Sequence, residues 1–233
     1  MVGLKIKNLL FVLLLMLLLP TLSSAQSDNA LARGDWRKAL NKSLDYIHDS
    51  DNYGVYKGEI EWYGVYDDEQ NQKFRSGTGI YRWKDGTIYI GGWSGNIEGI
   101  GICIVPQGYN LSTCPGAAYY VGEWYIRKSG LGLCYDSNGN LIYAGDFEND
   151  YPTEKYPMSG NTHDKFDCIE YSGGNYFVGM TKDGKPDGIG IFIWQSGTLW
   201  FGEWENGARN GFGALISYEG KVTTGTWKGD KKK

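Results

Sequence analysis

Phe177-Val-Gly-Met-Thr181, Trp200-Phe-Gly-Glu-Trp204 and Thr223-Thr-Gly-Thr-Trp227 stand at a constant offset of 23 residues. Between them run Gly184-Lys-Pro-Asp-Gly188-Ile-Gly190 and Gly207-Ala-Arg-Asn-Gly211-Phe-Gly213, each followed seven residues later by another glycine, Gly197 and Gly220. A fixed period of about 20–50 residues marks a repeat protein and takes precedence over any local motif. The unit reads aromatic-x-Gly-x-aromatic, then Gly, then Gly-x-Gly. Side chains alternate faces along a strand, so the two aromatics and the glycine between them share one face. The paired glycines share a face of the next strand. With both sets on one side, rings lie over bare Cα positions where a Cβ would collide.

The pattern extends upstream with slips. Tyr56-x-Gly58-x-Ile60 opens a first unit whose Gly77-Thr-Gly79 arrives ten residues late, which predicts an extended hairpin around Trp62 to Phe74. Tyr89-x-Gly91-x-Trp93 with Gly99-Ile-Gly101 is the second unit, followed by an insertion from Tyr109 to Tyr119. Tyr120-x-Gly122-x-Trp124 with Gly130-Leu-Gly132 is the third. Tyr143-x-Gly145-x-Phe147 opens a fourth that decays, with Lys165 and Asp167 where the glycines belong. On the face opposite the rings, Ile100, Ile102 and Ile104 alternate, as do Ile189, Ile191 and Ile193.

Written this way, the unit resembles the MORN repeat, a β-hairpin of 23 residues. The resemblance implies an all-β fold: a single-layer, twisted antiparallel sheet of tandem hairpins, here with a short N-terminal helix. It implies a non-enzymatic scaffold for protein–protein interaction or self-association, near a membrane surface. Phospholipid binding has also been ascribed to the family, but anionic headgroups want Lys/Arg clusters.

Those clusters are missing. The net charge is −4, and without Lys5 and Lys7 the chain carries 21 basic residues against 27 acidic. A mildly acidic chain is a poor partner for nucleic acid, which needs a basic surface. Thirty-five glycines disfavour helix, while eighteen tyrosines and nine tryptophans favour strand.

Residues 1–25 have the layout of a secretory leader. Lys5 and Lys7 precede an apolar run from Leu9 to Leu19, and Ser23-Ser-Ala25 sets a cut between Ala25 and Gln26. The run is too short for a membrane span, which needs about 20 residues. The mature chain is therefore expected to be exported: periplasmic, cell-surface or secreted. Residues 26–52 read as a linker and a short amphipathic helix. Asp35 caps it, and Trp36, Leu40, Leu44 and Ile47 form one stripe. Such a helix is expected to cover an open end of the array. Residues 53–230 form the repeat domain, and 231–233 a basic tail.

Export permits disulfides among Cys103, Cys114, Cys134 and Cys168. Cys103 and Cys134 occupy one register in successive units, about 10 Å apart, beyond the roughly 7 Å a bridge tolerates. Cys103–Cys114, closing the insertion, is the expected pair. No zinc-type spacing is present. The Gly-x-Gly pairs sit in strand patterns with no helix behind them, so no cofactor site is expected. His48 and His163 fall in different regions, and no catalytic set forms around them. Glu59, Glu123, Asp146 and Glu203 share one register. Two carboxylates 5–10 Å apart can cleave a glycoside, but a register that repeats them reads as scaffold. Among the rings, Tyr120, Trp124, Trp200 and Trp204 are the candidate binding surface, for a protein or, in the alternative reading, a glycan.

Overall fold

The computed structural model describes residues 30–47, 49–64, 71–155 and 165–233. The leader, the Ala25/Gln26 cut and both histidines lie outside those residues. The chain there is all-β apart from two short helices, α1 (Ala30–Arg33) and α2 (Asp35–Lys42). Two antiparallel sheets hold the rest, each with its strands in chain order. The first contains β1 (Asp49–Ser50), β2 (Gly54–Gly64), β3 (Asn71–Trp83), β4 (Ile88–Ser94), β5 (Asn96–Ile104), β6 (Tyr119–Tyr125), β7 (Arg127–Tyr135), β8 (Leu141–Glu148) and β9 (Tyr151–Lys155). The second contains β10 (Lys165–Tyr171), β11 (Asn175–Lys182), β12 (Lys185–Ile193), β13 (Leu199–Glu205), β14 (Ala208–Ile216), β15 (Val222–Lys228) and β16 (Lys231–Lys232). The sheet divides at the fourth unit, where the glycines fail. The late second half of the first unit is an extended hairpin, paired out to Gly64 opposite Asn71.

The expected single layer is thus two sheets, and the reason is the aliphatic face. Ile80, Ile90, Ile102 and Val121 of the first sheet join Val178, Ile191 and Phe201 of the second in one buried cluster with Trp36 and Leu40. Burying each such side chain contributes about 1.5–3 kcal/mol. The helix therefore sits against both sheets instead of closing the end of an array. Arg37 Nη1 donates to Val105 O at 2.9 Å, and Arg82 Nη1 to Asn41 Oδ1 at 2.9 Å, on the first sheet's side. Lys42 Nζ donates to Gln195 O at 2.8 Å on the second's. α2 starts behind Gly34, whose φ of 74° ends α1, and Asp35 makes no capping bond. It stops at Lys42, so Ile47 lies beyond it and is exposed.

On the other face each leading aromatic lies over a glycine pair. A Cβ on Gly132 would meet the Tyr120 ring, with Cζ at 2.8 Å, and one on Gly213 the Trp200 ring, with Cε2 at 2.8 Å. The tyrosines add a hydroxyl bond to the carbonyl three residues on: Tyr56 to Glu59 at 2.8 Å, Tyr120 to Glu123 at 3.0 Å, Tyr143 to Asp146 at 3.0 Å. The trailing aromatic then stands edge-on to the leading rings of its own and the preceding unit. Trp124 is 5.2 Å from Tyr89 and 5.1 Å from Tyr120; Phe147 is 5.1 Å from Tyr120 and from Tyr143. Trp204 repeats this between Phe177, at 5.1 Å, and Trp200, at 5.0 Å. Such edge-on pairs contribute roughly 0.5–1.5 kcal/mol each beyond their burial. Backbone bonds follow the same period, from each turn to the unit before: Gly95 N to Arg75 O, Ile126 N to Ile97 O, Asp150 N to Lys128 O, Gly207 N to Pro186 O, Asp230 N to Arg209 O.

Lys57 is wholly buried, with Nζ donating to Tyr218 O at 2.7 Å. Burial pushes its ammonium down to about 8, against an opposing pull from Asp45 and Glu219. Burial pushes the phenols of Tyr56, Tyr89 and Tyr120 up.

Two outcomes are expected. Gly132→Ala forces a methyl into the boxed-in Tyr120 ring and should lower stability by about 1–3 kcal/mol, seen in a thermal melt as a fall of several degrees. Between pH 8 and about 10, native Lys57 gives up its proton while the unfolded lysine keeps one, so stability rises with pH. Above pH 10 the unfolded phenols ionise first and stability falls. Melts across this range should show the rise in the natural chain and not in Lys57→Met.

Candidate interaction surface

In five hairpins the register slips just after the first-strand glycine: at Gly58/Glu59, Gly91/Trp93, Gly122/Trp124, Gly179/Thr181 and Gly202/Trp204. A bulge leaves one residue unpaired and bends the strand. Glu203 lies unpaired in such a bulge, while Glu59, opposite Ser76, stands beside one that leaves Gly77 and Thr78 unpaired, and both turn their carboxylates onto the partner strand. Glu59 Oε2 accepts from Thr78 N at 2.8 Å, and Glu203 Oε2 from Phe212 N at 3.1 Å. In the fifth unit Met180 takes this place, its sulfur 3.5 Å from Ile189 N. The first glycine of Gly-x-Gly is needed twice over in these units. Gly77, Gly130 and Gly211 have φ of 57°, 66° and 96°, and a Cβ there would strike the carboxylate of Glu59, Glu123 or Glu203. The acid ladder closes bulges.

The expected ring surface is not on the surface. Tyr120 and Trp200 are wholly buried, and Trp124 and Trp204 are each only 8% exposed. Their faces are spent on glycine and on each other, so no flat platform is left for a sugar ring. Cations close the outer side: Lys128 Nζ lies 5.3 Å from the Trp124 ring centre and Arg209 6.0 Å from Trp200. Arg75 does the same for Tyr56 at 5.2 Å. Each is held by an acid, Lys128 by Asp150 at 3.4 Å, Arg209 by Asp230 at 3.0 Å and Arg75 by Asp51 at 2.6 Å. Burial works against ionising Asp51, but bonds from Arg75, Tyr81 and two backbone N–H groups hold its carboxyl well below the usual range. The sequence carries a signal for this layer. Two residues before the first glycine of each Gly-x-Gly stand Arg75, Ile97, Lys128, Pro186 and Arg209.

What is left free in three units is the middle residue of Gly-x-Gly on the aliphatic face. Ile100 is 45% exposed, Leu131 52% and Phe212 55%, while Ile102 and Ala214, two residues further along, are fully buried. Ile189 is half-buried at the same position. Acids stand beside them in register: Glu123 opposite Ile100, Asp146 opposite Leu131, Glu203 opposite Ile189. Tyr125 and Ile126 are exposed at the turn next to Ile100 and Leu131.

A separate hollow of about 340 Å³ lies where α1 and α2 meet the insertion, lined by Arg37, Gln107, Tyr109, Asn110, Tyr119 and Asn138 among others. All four thiols are free and buried. Cys114 interacts with Cys134, and no bridge, the expected Cys103–Cys114 one included, is formed among the four. The insertion folds across to β7, where Cys134 lies, instead of closing on itself. Among the described residues there is no metal-binding cluster and no helix long and apolar enough to cross a membrane.

The MORN repeat family model matches residues 71–88, 89–108, 177–199 and 200–222, two stretches in each sheet. The third unit, Tyr120 to Gly132, lies outside those matches but has the same ring, bulge and register. No curated protein matches the chain. A solved structure of the budding yeast Cdc5 polo-box domain, in complex with the Dbf4 polo-interacting region, is 12% identical over 84% of this chain and 73% of that one. Its TM-score of 0.14 carries no argument.

If the ladder is structural, Glu59→Ala should cost about 1–2 kcal/mol, since it strands a backbone donor. Glu59→Gln, which keeps an acceptor, should cost well under half of that in the same urea titration.

Proposed function

This chain is a MORN-repeat protein, and from that premise we propose that it is an exported, non-enzymatic scaffold whose exposed row binds a protein partner. The observation that carries the reading is the recurring position itself, filled by Ile100 and Leu131 in the first sheet and by Phe212 in the second. Ile100, Leu131 and Phe212 are large, apolar and exposed at one repeat position. Exposed apolar residues at a recurring register mark an interaction surface better than scattered ones do. Acids interleave with them, so the complementary partner is a segment of apolar residues interleaved with Lys and Arg. A second copy of this chain would set acid against acid, which argues against self-association through this row. The same acidity disfavours anionic lipid, even for a scaffold that works beside a membrane.

Glu59 and Glu203 are already engaged by backbone N–H groups of the partner strand, which supports the non-enzymatic reading. The glycan alternative now rests on the hollow near Tyr109, where an exposed ring stands among amide side chains. That chemistry suits a sugar.

Selection of random peptides on the mature chain should return basic, apolar sequences. Leu131→Glu should weaken them at least tenfold, about 1.4 kcal/mol, without lowering the melting temperature. Peptides with no basic bias, or binding indifferent to that substitution, would count against the row. Tyrosine and tryptophan emission that responds to soluble polysaccharide, and is lost in Tyr109→Ala, would favour the glycan reading. Turnover of aryl glycosides would overturn both.

A further inference from the structure

Cys114 and Cys134 come from different parts of the fold and meet. Cys134 lies on β7, between Tyr120 of β6 and Tyr143 of β8 in register. Cys114 lies in the insertion between β5 and β6, which is wound by its own backbone bonds: Leu111 N to Ala117 O at 2.6 Å, Cys114 N to Leu111 O at 3.2 Å and Ala117 N to Cys114 O at 3.0 Å. Two further bonds fix this loop on β7. Ala118 N donates to Tyr135 O at 2.8 Å, next to Cys134, and Lys128 Nζ reaches Thr113 Oγ1 at 3.3 Å, next to Cys114. Both thiols are buried and interact with each other.

We propose that Cys114 and Cys134 form a disulfide that staples the insertion onto the third repeat unit. One competing pairing fails on position. Cys103 and Cys134 flank Tyr120 from opposite sides, two strands apart, or about 10 Å. Cys168 lies in the second sheet. The oxidant is a disulfide, of the class an oxidising compartment supplies. Cys114 is the attacking sulfur, because the bond from Cys134 and the Lys128 cation favour its thiolate, whereas the Cys134 thiol is pushed up. The Cys114 thiolate displaces one sulfur of the oxidant, giving a mixed disulfide. Cys134 then gives up its proton and displaces the other sulfur from Cys114. Two S–H bonds are lost, one S–S bond forms, and the oxidant leaves as two thiols carrying the two protons.

The bridge would close a loop of roughly twenty residues, enough to raise the melting temperature by about 5–10 °C. The test oxidises the purified mature chain with glutathione disulfide under native conditions, then digests it without reductant. A linked peptide pair containing Cys114 and Cys134 is expected, together with the melting shift. The shift should vanish in Cys114→Ser and in Cys134→Ser and persist in Cys103→Ser. Should a serine variant fail to fold, the peptide map of the natural chain decides alone. Two free, alkylatable thiols at these positions after oxidation, or a linked Cys103–Cys114 pair, would overturn the proposal.

Discussion

An aromatic ring lying on two glycines, one on each of two paired strands, is the contact on which the structure depends. It works because a sheet without side chains at those points lets a ring approach the backbone. The pair Gly122 and Gly132 faces itself across β6 and β7, as Gly202 and Gly213 do across β13 and β14. The leading ring fills the space that two side chains would have taken. Its neighbours are then fixed, since the edge of the trailing aromatic meets it at close to a right angle. The contact passes from unit to unit until the glycines stop, and there the sheet divides.

The rings and the bulges are coupled. A bulge after each first-strand glycine bends the strand, and the carboxylate of Glu59 or Glu203 returns a hydrogen bond to the donor the bulge frees. The first glycine of Gly-x-Gly, with its positive φ, leaves room for that carboxylate; the second leaves room for the ring. Two glycines that look equivalent in the sequence thus answer different demands, one conformational and one of close approach.

Much of this was legible. The period, the alternation and the glycine pairs fix the hairpins, and the late Gly77-Thr-Gly79 correctly announced a long hairpin. Three things were not legible, for physical reasons. Whether an apolar face meets solvent or a second sheet depends on contacts distant in sequence, so Ile102 and Ile191 could not reveal that they share a core. Trp124 and Trp204 looked available because periodicity gives a ring's face and not what covers it. Lys128, which lies over Trp124, and Arg209, which lies over the neighbouring Trp200, read as ordinary surface charges. The Cys114–Cys134 contact was hidden because the insertion breaks the period and follows no register.

These constraints divide the repeat into positions that build and positions that are free. Both aromatics, both glycines and the bulge residue are committed to the hairpin. The cation two places before Gly-x-Gly is committed to the ring below it. The aliphatic residues after Gly-x-Gly are committed to the shared core. The middle residue is a strand position that the packing leaves open in three units, at Ile100, Leu131 and Phe212, while Thr78 is buried in the first. A scaffold that must keep its fold while recognising one partner has to vary where variation costs least. The recognition proposed for this chain would then sit at the centre of Gly-x-Gly in those units, on side chains that the repeat pattern itself does not specify.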